Sequence, residues 1–212
     1  MMKVVVFGAT GRTGQRVVER AIDDGHHVTG IARTPSKLDL KYESLAVEQG
    51  DVLNYESFAD LLQGQDVVIS TIGKESYLSR VNLYSEGITN IIRAMKEHGV
   101  SRLIAITSGG THPGWDRNNA LFYEVLIKRI LLRGEYQDMR RMEAIIQDND
   151  LEWTIVRPSG LTNDEGVGNY RTEIGYSFAE SNTTTRDDLA DFIVEELETN
   201  QFPREGVAVV TV

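Results

Sequence analysis

The residues best placed to do chemistry begin at position 8. Gly8-Ala9-Thr10-Gly11-Arg12-Thr13-Gly14 repeats glycine at every third position. It follows the apolar run Val4-Val5-Val6-Phe7 and precedes a stretch with Val17, Val18, Ala21 and Ile22 at helical spacing. Strand, glycine turn and helix together are the context in which such a spacing holds a dinucleotide. Gly8 permits the tight turn, Gly11 lets the backbone approach a pyrophosphate, and Gly14 lets the helix lie close against the strand. The unpaired N–H groups of the helix start and the positive end of its dipole suit anionic phosphates.

The next chemical signal lies at the end of the second strand, which runs over residues 27–32. NAD-binding sequences usually place an acid there for the ribose 2′-hydroxyl. This chain reads Ile31-Ala32-Arg33-Thr34-Pro35-Ser36-Lys37, without a carboxylate. Arg33 is suited to pair with a 2′-phosphate and to stack on adenine, and Arg12 and Lys37 add positive charge. The expected cofactor is therefore NADP(H). The plainer alternative is a solvated arginine at a strand end. Asp51, in Gly50-Asp51-Val52, suits either a hydrogen bond to the adenine amino group or a cap on the turn that follows. Ser108 is the candidate polar group at the hydride-transfer site, against the alternative of a strand-end serine that satisfies local backbone. His112 is read as an acid near the nicotinamide or as a plain loop histidine. Trp115 is read as a stacking surface for a planar substrate or as a packing residue of the rim.

These positions need a scaffold. Apolar strands over 4–7, 27–32, 45–49, 66–71, 102–107 and 153–156 alternate with helical patterns over 12–24, 55–63, 80–98 and 119–148, the last interrupted near Arg133-Gly134. A short strand near 170–178, a helix over 187–199 and a strand over 207–210 complete the reading. Repeated strand–helix alternation predicts an α/β Rossmann fold, a doubly wound parallel sheet in three layers, α/β/α. No linker or repeat divides the chain, so a single NAD(P)-binding domain over 1–212 is expected. Residues 158–185 would form a small substrate-side region.

Composition narrows the function classes. The chain has 212 residues, 41% hydrophobic and 25% charged, with a formal net charge of −10. That balance opposes general nucleic-acid binding. With no cysteine, disulfides, thiolate metal sites and a cysteine nucleophile are excluded. His26, His27 and His98 lack metal-ligand spacing. No apolar run reaches the roughly 18 residues of a membrane helix, and the apolar N-terminal run is too short for a signal peptide. A cytoplasmic monomer or homodimer without metal is the expectation.

Further motifs narrow the class. Ser85-Glu86-Gly87, His98-Gly99-Val100, Thr107-Ser108 and Val156-Arg157-Pro158 follow the glycine turn, Arg33 and Gly50-Asp51-Val52 in sequence order. In that order the chain resembles the atypical short-chain dehydrogenase/reductases, and most closely the NAD(P)H-binding branch that holds flavin reductase/biliverdin IXβ reductase and the NmrA-like proteins. The resemblance spans about residues 3–200. It implies that Thr10, Thr13, Val52, Ile72 and Gly73 line the cofactor together with Gly8, Gly11, Arg12, Arg33 and Asp51. It implies that Thr107 and Ser108 sit beside the nicotinamide, and that Arg157, Pro158, Ser159 and Gly160 border the same site.

The resemblance stops short of the usual catalytic pair. Relatives place Tyr and Lys one helical turn apart so that Lys lowers the Tyr pKa for proton donation. Here Tyr123 and Lys128 are five apart, Tyr136 is followed by Arg140, and Met139 takes the Lys position four residues before Glu143. Ser159 stands where the biliverdin reductase pattern has His, so biliverdin is disfavoured as the acceptor. Hydride transfer to an electron-poor ring needs less from the protein. The leading expectation is an NADPH-dependent reductase of a flavin, quinone or similar planar acceptor. A non-catalytic, NADP(H)-sensing NmrA-like protein is the runner-up, and a nucleotide-sugar isomerase or epimerase is a third reading.

Overall fold

The computed structural model describes residues 1–73, 82–113, 132–178 and 183–212. Eight strands form one sheet in the order β3-β2-β1-β4-β5-β6-β10-β8. They are β1 (Lys3–Phe7), β2 (His27–Ala32), β3 (Leu45–Gln49), β4 (Val67–Ser70), β5 (Arg102–Ile106), β6 (Glu152–Pro158), β8 (Tyr170–Ile174) and β10 (Glu205–Thr211). The first six and β10 pair in parallel, and β8 adds antiparallel to β10 at the edge. A separate two-stranded ladder pairs β7 (Gly160–Thr162) with β9 (Thr183–Thr185). Thus the segment 158–185 splits between that ladder and the sheet edge.

Alternation along the strands builds two cores. Val5 and Phe7 of β1, with Leu103 and Ala105 of β5, face α2 (Leu83–His98) and α3 (Arg133–Gln147). Val4 and Val6, with Ile104 and Ile106, face α1 (Arg12–Asp23) and α4 (Arg186–Thr199). Strand side chains point alternately to opposite faces, so a strand covered on both sides must be apolar throughout. All of Val4 to Phe7 is fully buried. The result is the expected three-layer α/β/α sandwich. Because α1 lies on one face and α2 on the other, the chain reverses direction between β1 and β4, and a crevice opens at their C-terminal ends.

Several boundaries differ from the sequence reading. The helix expected over 55–63 is two 3-10 turns, Tyr55–Ser57 and Ala59–Leu62. Phe58 between them leaves helical backbone (φ −144°, ψ −13°) to set its ring edge-on to Phe7 at 5.0 Å. Helix α3 begins at Arg133, where the sequence reading placed its interruption, and runs to Gln147. The expected helical stretch 119–131 lies outside the described residues, as do residues 80 and 81 ahead of α2. No helix among the described residues is long and apolar enough to cross a membrane.

Candidate cofactor cleft

The crevice is a cleft of about 1190 Å³. That is ample for a dinucleotide, since small-ligand sites run to about 1,000 Å³. Its floor is the glycine turn. Gly8 has φ +80°, and a Cβ there would lie 2.9 Å from the Thr71 carbonyl oxygen. A Cβ on Gly14 would overlap the Gly8 carbonyl oxygen. The Gly11 N–H closes the turn onto Gly8 O at 2.8 Å, and the Thr71 hydroxyl ties it to β4 through Phe7 O at 2.9 Å. Gly8, Thr10, Gly11, Arg12 and Thr13 face the cleft, while Gly14 sits beneath them as the packing contact between turn and helix.

The sides follow the expected strand ends. Arg33 follows β2 and Lys37 closes the 3-10 turn Pro35–Lys37 (both line one end), with Asp51, Val52, Ile72 and Gly73 nearby. The Asp51 carboxylate accepts the Leu53 N–H at 3.0 Å, which is the turn-capping role, yet the residue also faces the cleft. The far end is made by Thr107, Ser108, Pro158, Ser159 and Gly160. The Ser108 oxygen accepts from Gly110 N–H at 3.1 Å, and a hydroxyl that accepts still has its own hydrogen to donate.

Two expected site residues, Arg157 and His112, do not reach the cleft as read. Arg157 is buried behind it. Its Nε and one terminal nitrogen donate to Glu143 at 3.1 and 2.9 Å, and the other donates to Gly175 O at 2.8 Å. A guanidinium placed on a central strand must find a carboxylate inside, because an unpaired buried charge is costly. His112 packs edge-on against Tyr176 at 5.1 Å and is not part of the cleft wall. Tyr176 in turn lies under Arg157 at 4.0 Å. Trp115, like Tyr123 and Lys128, lies outside the described residues.

Glu143 organises this end. It is 4% exposed and accepts the Thr107 hydroxyl at 2.7 Å and the Thr111 hydroxyl at 3.0 Å besides Arg157. It therefore fixes both flanks of the Ser108–Gly110 turn. The Tyr136 phenol fills the place that a side chain at Gly110 would take, and Tyr136 and Met139 face the cleft from α3. Tyr84 and Glu135 also face it, joined by the Tyr84 hydroxyl at 2.9 Å. Buried Asp138 holds the start of α2 by accepting the Tyr84 N–H at 2.8 Å. Sequence reasoning missed Tyr84, Ser177 and Arg186 as wall residues. For Arg186 a signal existed: it is a cation at the first position of a helix, where acids are favoured. Burial and the nearby Arg12 and Arg16 guanidinia hold its pKa below the usual arginine value. No group of three or more His, Asp or Glu side chains among the described residues is arranged to hold a metal.

A family model described as NAD(P)H-binding matches residues 8–200, from the glycine turn to the end of α4. The chain belongs to this NAD(P)H-binding family. An uncharacterized sugar epimerase of Bacillus subtilis is 28% identical over 205 residues, covering 93% of this chain and 88% of its own. Two solved structures share the fold of this family member. A Streptococcus pneumoniae protein provisionally named an NADH-flavin reductase matches with a TM-score of 0.82 at 23% identity, covering 100% of both chains. A Veillonella parvula short-chain dehydrogenase/reductase in complex with NADP matches with a TM-score of 0.79 at 18% identity, covering 99% of this chain and 94% of its own.

Proposed function

We propose that the protein is an NADPH-dependent reductase of a flavin, quinone or similar planar acceptor. The carrying observation is one continuous cleft with a glycine cradle and cations toward one end and Thr107, Ser108, Pro158, Ser159 and Gly160 at the other. The cradle fits a dinucleotide because its backbone lies bare along the cleft, in a turn that Cβ atoms at Gly8 and Gly14 would break by collision with Thr71 and the Gly8 carbonyl. Arg33 and Lys37 supply donors suited to a 2′-phosphate, and β2 ends without the carboxylate that a free 2′-hydroxyl would call for. When bound, the cofactor supplies the hydride.

The residues of the chain do the positioning. The glycine turn and helix α1 hold phosphates, and the apolar side chains of Ile72 and Met139 line the same cleft. Ser108, held by Gly110 N–H and by the Glu143 network, presents a hydroxyl that can donate to a reduced acceptor. Met139 replaces the lysine that would activate a tyrosine, so chemistry that depends on a strong protein acid is disfavoured. A planar acceptor that takes its proton from solvent suits such a wall. Met139 also favours a second reading, an NADP(H)-sensing regulatory protein that does not turn its ligand over.

NADPH oxidation measured with FMN, riboflavin and quinones separates the two. Turnover with at least one acceptor is expected; tight NADPH binding without turnover on any of them favours sensing. Replacing Arg33 by alanine should weaken NADPH by about 10- to 100-fold, the worth of a hydrogen bond to a charged group. NADH should change little. Equal losses for both nucleotides would refute the 2′-phosphate role.

A further inference from the structure

Arg186 stands where helix electrostatics would not place it. It is the first residue of α4, at the positive end of the helix dipole. The two acids that follow it are engaged elsewhere. Asp187 accepts from Arg16 Nε at 2.7 Å and from Gly166 N–H at 3.3 Å. Asp188 accepts from Gly168 N–H at 2.9 Å and from the Thr211 hydroxyl at 2.7 Å. Arg186 donates instead to the Thr162 carbonyl and to Asn163 Oδ1, both at 2.9 Å. These neutral acceptors aim the guanidinium without neutralising it.

Arg12 is the first residue of α1, which packs beside α4. Both arginines line the cleft, next to the glycine turn on one side and the β7 segment on the other. Among the described residues neither is paired with a carboxylate. Arg16 joins the two helix starts, donating to the Arg12 carbonyl at 2.9 Å and to Asp187 at 2.7 Å, so two unpaired guanidinia face the cleft from adjoining helix ends. Like charges held close in a partly buried place repel unless an anion joins them. A pyrophosphate has the charge and the oxygens to accept from both at once, and the planar guanidinium fork suits that geometry.

We propose that Arg186 reaches from α4 and, with Arg12, clamps the pyrophosphate of the bound dinucleotide. This rests on the cofactor reading above and adds to it a residue far from the glycine turn in sequence. The clamp has a consequence for the acceptor end. Arg186 is anchored on Thr162 and Asn163, two and three residues after Gly160 of the Pro158-Ser159-Gly160 wall. Cofactor phosphate would therefore tie the acceptor-side segment to the glycine turn.

The test measures dissociation constants of NADPH and NADH for the full chain, for Arg186→Gln and for Arg186→Lys. The Gln variant should lose about 10- to 100-fold on both nucleotides alike, and the Lys variant should recover part of that loss. The ligand-free Gln variant should melt at or above the wild-type temperature, because a like-charge contact is relieved, while the rise in Tm on adding NADPH shrinks. A loss confined to NADPH would move Arg186 to the 2′-phosphate and overturn the clamp. Unchanged affinities for both nucleotides would overturn it, and so would a ligand-free variant that melts well below the wild type. Wild-type protein that binds neither nucleotide would remove the cofactor reading and the clamp together, a result seen without any substitution.

Discussion

The two ends of the cleft are built in opposite ways. The phosphate end is mostly backbone from one short stretch, Gly8 to Gly14, whose tolerance is set by the Gly8 carbonyl and Thr71. The far end is backed by side chains that follow β5 and belong to α3, β6 and the loop at Tyr176, gathered around one buried carboxylate, Glu143. Backbone cradles suit a ligand part shared by a whole family. Side-chain networks can be rebuilt without disturbing the cradle, so the far end of such a cleft is free to vary on a constant turn.

That division can be broken by experiment. Glu143→Ala should have the largest effect on stability, about 3–5 kcal/mol, because it leaves the Arg157 guanidinium buried without its partner. Chemical denaturation would measure it. In the folded fraction, NADPH affinity should stay near the wild-type value while turnover falls. Gly14→Ala should cost less stability, on the order of 3 kcal/mol, yet lose nearly all nucleotide binding, since its Cβ overlaps the turn itself. If titration found the two variants equally impaired for NADPH, the two ends would not be separable.

The smallest effect is a control away from both ends. The Tyr170 phenol donates to Glu195, and burial first, then that carboxylate, push its pKa up. The native state therefore keeps this proton to higher pH than the unfolded chain does. The resulting stability is present below the ordinary phenol value of about 10 and is lost as pH rises beyond it. Tyr170→Phe should flatten the alkaline fall in denaturation midpoint by less than about 1 kcal/mol and leave nucleotide affinity unchanged. An altered affinity would mean that the sheet edge at β8 communicates with the cleft.

The phosphate end was readable because its cause is local. A glycine triplet between an apolar strand and an amphipathic helix dictates a turn whatever packs around it, and Arg33 follows β2 by chain position alone. The 3-10 turns around Phe58 were missed because aromatic packing on Phe7 overrode helical spacing. Arg157 was misplaced for a related reason. Its neighbourhood in sequence, Val156-Arg157-Pro158, points along the strand toward the cleft, but its charge turned to the only kind of partner that lowers the cost of burial, and that partner sits on α3.

From the sequence alone came the parallel α/β sandwich, the dinucleotide turn and the cationic end at Arg33 and Lys37, all set by short-range spacing and residue type. The tertiary structure alone decided that Glu143 would gather Thr107, Thr111 and Arg157, and that Arg186 and Arg12 would line one cleft from two packed helices. Buried charge and like-charge proximity depend on which elements share a face, and no local pattern in the chain records that.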